Sequence, residues 1–104
     1  MKYTVVFVTA ANKKEARKIA DGVVKEHLVA CVNIVEKIKS IYRWQGKIEK
    51  STEMLLIMKT KISLSKKLIK KVKSLHSYTV PEIIFLPIID GNPDYLKWIE
   101  DETI

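Results

Sequence analysis

The chain has 104 residues, 47% of them hydrophobic, with 19 basic and 12 acidic side chains for a net charge of +7. That length is expected to hold one domain with a real core and to leave no room for a second. The longest apolar runs fall well short of the ~18 residues of a membrane span, no small-residue cleavage site follows Met1-Lys2-Tyr3-Thr4, and the lone Cys31 excludes an internal disulfide, so a soluble cytoplasmic protein with no membrane partner is expected.

Lys2 to Val8 is a β-branched and aromatic run of strand length. From Lys13 the apolar residues Ala16, Ile19, Ala20, Val23, Val24 and Leu28 recur at helical spacing, with Asn12 as N-cap and Gly22 as a weak point that does not end the helix. Val29 to Trp44 alternates as a strand does: Ala30, Val32, Ile34, Ile38, Tyr42 and Trp44 fall on even positions, which are expected to share one largely apolar face. Gln45-Gly46 reads as a turn, and Lys47 to Thr60 returns as the second arm of a hairpin ending in the block Met54 to Met58. Leu64, Leu68, Val72 and Leu75 mark one face of a second helix with Ser63 as its cap, and lysines cover most of the remainder. Glu82 to Ile89 reads as a last strand in which Pro87 implies an edge or bulge position. After the turn Asp90 to Pro93, a short helix capped by Asn92 offers Tyr95, Leu96, Trp98 and Ile99 for packing.

Strand, helix, strand, strand, helix, strand and a C-terminal helix is the α+β, ferredoxin-like βαββαβ order, an antiparallel sheet with both main helices on one face. The central hairpin is too long for such a domain. Roughly 16 extended residues reach ~50 Å, against a radius of gyration of ~13 Å for ~100 residues, so without a bulge the tip overhangs. A tip that carries Tyr42, Trp44 and Ile48 beyond its own domain predicts a cyclic oligomer built through shared strands.

The positive charge is nearly all lysine, with Arg17 and Arg43 the only arginines, which argues against the bidentate phosphate and guanine recognition typical of nucleic-acid binders. Solubility or adaptation to heat is the expected role of the charge, and a polyanion partner is the alternative. An acylphosphatase-type enzyme shares the element order but needs an anion cradle and an arginine after the first strand, where Thr9-Ala10-Ala11-Asn12 has neither glycine nor arginine. An RNA-recognition domain would stack bases on third-strand aromatics, and Ser51 to Lys59 has none. No spacing supports a catalytic triad or a phosphate loop, so no enzyme is expected.

Several segments resemble the CutA family of divalent-cation-tolerance proteins: Leu28 to Ile34, Ser40 to Glu49, Met58-Lys59-Thr60, Leu75 to Ile84 and Gly91 to Trp98. They span nearly the whole chain in family order. The resemblance implies a PII-like homotrimer with interlocked hairpins, cytoplasmic in bacteria and archaea, and an association with copper or other divalent metal ions. The family's bacterial copper pattern has a cysteine and two adjacent histidines at positions that are here Val8, Leu75 and His76, so only His76 matches. Ser77 replaces the usual proline between the histidine and Tyr78.

His76 is therefore the candidate metal ligand, against a hydrogen-bonding role at a helix end. Lys59, Tyr78, Glu82, Tyr42 and Trp44 are candidates for a ligand cleft. For all but Tyr78 there is a plainer role: solvation for Lys59, oligomer packing for Tyr42 and Trp44, and a salt bridge for Glu82. Cys31 is expected to pack as a small hydrophobe. Two functions remain: a trimer that binds or responds to divalent metal, and a signalling or scaffold trimer that holds a small anionic ligand or a partner protein between its subunits.

Overall fold

In the computed structural model, which describes residues 1–104, Tyr3–Ala10 forms strand β1 and Lys13–Lys25 helix α1. Asn12 caps α1 as expected, its side chain accepting the Glu15 N–H at 2.9 Å. The helix stops earlier than its apolar spacing suggests because His27 takes φ 57°, which turns Leu28 back into the core. Strands β2, Cys31–Trp44, and β3, Lys47–Lys61, form the hairpin. Its turn residues Gln45 and Gly46 both have positive φ, 51° and 78°, as a tight two-residue hairpin turn requires.

A 3-10 turn at Ile62–Leu64 leads into α2, Ser65–Leu75. Ser63 lies inside that turn, and no side chain caps the helix, so the expected cap is absent. The last strand β4 is shorter than the sequence suggests, Ile83–Pro87, and α3, Pro93–Glu102, starts at Asn92, whose side chain accepts the Asp94 N–H.

The sheet order β2-β3-β1-β4 is antiparallel throughout, and β4 at the edge accommodates Pro87. Cross-strand pairs share a face, so Val6, Val8, Leu56 and Met58 point together towards α1 and α2, where Ile19, Val23, Leu68 and Val72 close the core with no exposed surface. Burying each such side chain contributes about 1.5–3 kcal/mol. Gly22 lets the helices approach closely, since a Cβ there would lie 2.8 Å from Leu75 Cδ1.

The other side of the sheet is open. Val5, Phe7, Leu55, Ile57, Ile84 and Leu86 share it by register, and Ile84 and Leu86 remain 48% and 41% exposed. Within one chain α3 leaves Tyr95 and Trp98 exposed and buries only Ile99 completely, so two of its four expected packing residues do not serve that purpose.

The face assignment along β2 needs correction. Val35 pairs with Leu55 but Ile38 pairs with Glu53, so Glu36 and Lys37 together stand opposite one residue of β3. This is a bulge, with Lys37 at φ 58°, and it reverses the alternation beyond it. Val32 and Ile34 face the helices, whereas Ile38, Ser40, Tyr42 and Trp44 share the open side with Glu53 and Ser51. The bulge does not fold the hairpin back. β1 pairs with β3 only from Met54 onward, so the arms from Ile38 to Trp44 and Lys47 to Glu53 project as a two-stranded ribbon, and the molecule extends 44 Å along one axis against 25 and 23 Å across.

Candidate functional site

The root of the ribbon and the loop between α2 and β4 enclose a cleft of about 780 Å³. Ser40, Tyr42, Trp44 and Glu53 come from the ribbon, and Ser77, Tyr78, Thr79 and Glu82 from the loop. The bulge brings the β2 members of the first group there, since uninterrupted alternation would have sent Tyr42 and Trp44 to the helical side. Glu53 is only 6% exposed and accepts a 2.7 Å hydrogen bond from the Tyr78 hydroxyl. Burial first, and then this bond to Glu53, push the Tyr78 phenol well above its ordinary range. Across the ladder from Ser40, the Ser51 hydroxyl is buried with no partner.

The loop is pinned from behind. Glu15, in the first turn of α1, accepts the Ser77 N–H at 2.7 Å on one oxygen and the Ser77 hydroxyl at 2.8 Å on the other. Burial by itself would raise the Glu15 carboxyl, but the two Ser77 bonds and the neighbouring His76 outweigh it and hold the group below its usual value. His76 terminates α2 and its side chain is fully buried. Its Nε2 lies 2.6 Å from the Thr9 carbonyl oxygen, which can only accept, so Nε2 carries a proton and donates. Nδ1 accepts the Tyr78 N–H at 3.1 Å when the ring is neutral, or donates to Glu15 at 3.0 Å when it is charged. The Tyr78 ring packs on the imidazole with centroids 4.7 Å apart.

This geometry decides whether a copper ion fits at His76. A metal needs a free lone pair, and both nitrogens are already engaged. Val8 is fully buried in the apolar core and Leu75 packs against it, so neither family ligand position supplies a donor. No three His, Cys, Asp or Glu side chains gather anywhere in the chain to hold a metal ion. The residues of a single subunit do not fit a resident copper centre.

Of the cleft residues expected from sequence, Tyr42, Trp44, Tyr78 and Glu82 come together. Lys59 does not join them. It pairs with Val5 and Cys31 elsewhere in the sheet, and its ammonium donates to Asn33. Cys31 is half-buried with its thiol 3.7 Å from the Tyr95 hydroxyl. Glu53, Glu15 and Ser77 were not legible as site residues. The one available signal was Glu53 itself, a lone carboxylate bordering the apolar block Met54 to Met58.

The family described as CutA1 divalent ion tolerance protein matches residues 4–102. The divalent-cation tolerance protein CutA of Thermus thermophilus is 50% identical over 99 residues, which span 95% of this chain and 96% of that protein. The crystal structure of CutA1 from Oryza sativa superposes with a TM-score of 0.97 at 45% identity, covering 100% of this chain and 95% of that one. The periplasmic divalent cation tolerance protein CutA from Archaeoglobus fulgidus does so with a TM-score of 0.93 at 39% identity, covering 96% and 97%. The expected α+β architecture is the one these structures share with it.

Proposed function

The chain belongs to the CutA1 divalent ion tolerance family, and from that premise we propose that it serves divalent-cation tolerance as a cytoplasmic homotrimer that binds its ligand in clefts between subunits and catalyses no reaction. The ribbon supports assembly. Ile41 and Ile48 are 69% and 64% exposed, Tyr42 and Trp44 are 44% exposed, and the open sheet side adds further uncovered apolar surface. A ribbon of one copy laid on the sheet of the next is a heterologous contact, which must close into a ring to avoid fibres. Three copies is the closure the family resemblance implies.

One observation carries the choice of ligand. In a chain of net charge +7, the cleft contains two carboxylates, Glu53 and Glu82, against the single ammonium of Lys39. Its remaining polar side chains are hydroxyls and the Trp44 indole, and oxygen donors of the carboxylate and hydroxyl kind suit a hard divalent cation held with part of its water. A small anion would have Lys39 alone to meet it. Copper held by His76 is the narrower form of the proposal, and it requires Nε2 to release the Thr9 carbonyl.

Light scattering at micromolar concentration is expected to give the mass of a trimer, and a monomer rejects the assembly. Calorimetry with Cu²⁺, Zn²⁺ and Mg²⁺ on the trimer is expected to show binding that Glu82→Gln weakens about tenfold, or ~1.4 kcal/mol, and that His76→Ala leaves unchanged. Loss of copper binding in a still trimeric His76→Ala protein would establish the narrower form. Thermal stabilisation by anionic metabolites and by no cation would establish the anion-binding alternative, since a ligand at 100 times its dissociation constant adds ~2.7 kcal/mol.

A further inference from the structure

The charge of this chain is segregated in space. Helices α1 and α2 carry ten basic side chains and only two acidic ones, Glu15 and Asp21, a net +8, while the remaining residues, with nine basic against ten acidic, net −1. α2 has no acidic residue at all. Of the ten cations only Lys13 and Lys71 have a carboxylate partner, Glu36 and Glu26 respectively. The other eight, from Lys14, Arg17, Lys18 and Lys25 on α1 to Lys66, Lys67, Lys70 and Lys73 on α2, are exposed and unpaired.

Solubility or adaptation to heat does not account for this arrangement. Both are served by interspersed signs and ion-pair networks. Here like charges stand three and four residues apart along α2, as at Lys66 and Lys70 or Lys67 and Lys70, which weakens the helix. The layer holds repulsion that a polyanion would relieve. We propose that the outer surface of α1 and α2 docks the phosphate backbone of duplex DNA without reading its sequence.

The surface suits that partner better than a membrane. The apolar faces of both helices, with Ile19, Val23, Leu68 and Val72, are spent on the core, and Val24 is the one large apolar side chain of these helices that stands exposed, so nothing is available to insert between lipids. At ~1.5 Å per residue the 13 and 11 residues of the two helices make rows of about 20 and 16 Å, rigid enough to face a regular row of phosphates. A hollow of about 430 Å³ lined by Lys67, Lys70, Lys71 and Ser74, and also by Glu26, whose carboxylate is paired with Lys71, gives the layer a concave stretch. Lysines meet phosphates as point charges, and a single arginine on the layer excludes guanine readout while leaving backbone contact intact. The layer lies across the sheet from the open side proposed for assembly, so both surfaces can be used at once, and the layer does not depend on the cleft.

Fluorescence anisotropy of the assembled protein with a 30-base-pair duplex of arbitrary sequence tests the proposal between 50 and 200 mM salt. Binding is expected at 50 mM and should fall with salt at a log–log slope of about −0.9 per phosphate contacted. The combined variant Lys66→Gln, Lys67→Gln, Lys70→Gln, Lys73→Gln keeps good helix formers at exposed positions. It should bind at least tenfold more weakly, with a slope shallower by ~1 for each lysine that touched a phosphate. The ribbon variant Lys47→Gln, Lys50→Gln should bind as the unaltered protein does. No binding at 50 mM salt, an equal loss in the ribbon variant, or displacement of the duplex by phosphatidylserine vesicles at lower charge concentration would overturn it.

Discussion

The two halves of β3 differ in everything except their continuity. From Met54 to Lys61 the strand has β1 on one side and β2 over most of the other, and every second residue, Leu56, Met58 and Thr60, has no exposed surface. From Lys47 to Glu53 it has β2 alone, and most of its residues are exposed. A two-stranded ribbon is marginal in water on its own. The inner half is therefore stabilised within the subunit, whereas the outer half gains its stability from whatever covers Ile41, Trp44 and Ile48. Glu53 and Tyr78 meet where the halves join, which places the cleft at the boundary between the part covered within the chain and the part left uncovered.

Four measurements break or sharpen that contrast. Leu56→Ala, in the inner half, should cost ~2–5 kcal/mol in denaturant unfolding whatever the state of assembly. Trp44→Ala, in the outer half, should change the stability of an isolated subunit by no more than ~0.5 kcal/mol, as a surface change does, while weakening association by ~2 kcal/mol or more, read as a concentration-dependent mass in analytical ultracentrifugation. Equal effects of the two substitutions on subunit unfolding would erase the distinction. Tyr78→Phe should cost ~1–2 kcal/mol because Glu53 is left buried without its donor, and a neutral result would mean that the carboxylate finds water instead.

The smallest effect is an acid limb. Glu100, hydrogen-bonded by Lys2 and Lys61, titrates at about 2, and Glu15 lies below its ordinary value. Both are lower in the folded chain than in the unfolded one. The stability they add is therefore fully present above the usual carboxylate range of ~4–4.5 and is lost as pH falls from there towards about 2. Lys2→Met should flatten that limb in melts taken between those pH values, lowering the melting temperature slightly at neutral pH, since the pair is exposed, and leaving it unchanged near pH 2.

The elements were legible because most of their causes are local. The Asn12 and Asn92 caps, the Gln45-Gly46 turn and the apolar spacing of both main helices each act within a few residues, and each was found where it was read. What escaped depends on events between strands. Nothing in the even-numbered pattern from Ala30 to Trp44 marks Glu36 and Lys37 as sharing one partner position, since both are polar residues in an already alternating run. Lys59 was read beside the cleft because it ends an apolar block, yet its register sends it to Asn33. His76 carried the family's pattern, but only the fold shows that Thr9 occupies one nitrogen and Tyr78 the other. Nothing local marks Glu15, whose bonds to Ser77 cross 62 positions of sequence.

The doubled position at Glu36 and Lys37 separates two registers of one ladder. Excising Lys37 would let the arms pair without interruption and leave Ile38 opposite Glu53, so every side chain from Ile38 to Trp44 would keep its side, whereas an unbulged ladder that kept both residues would set Ile38 opposite Thr52 and roll Tyr42 and Trp44 to the helical side. The doubled position is thus a place where a lineage could gain or lose one codon while Tyr42 and Trp44 keep their side of the ribbon and Val6, Leu56 and the helices above them stay untouched.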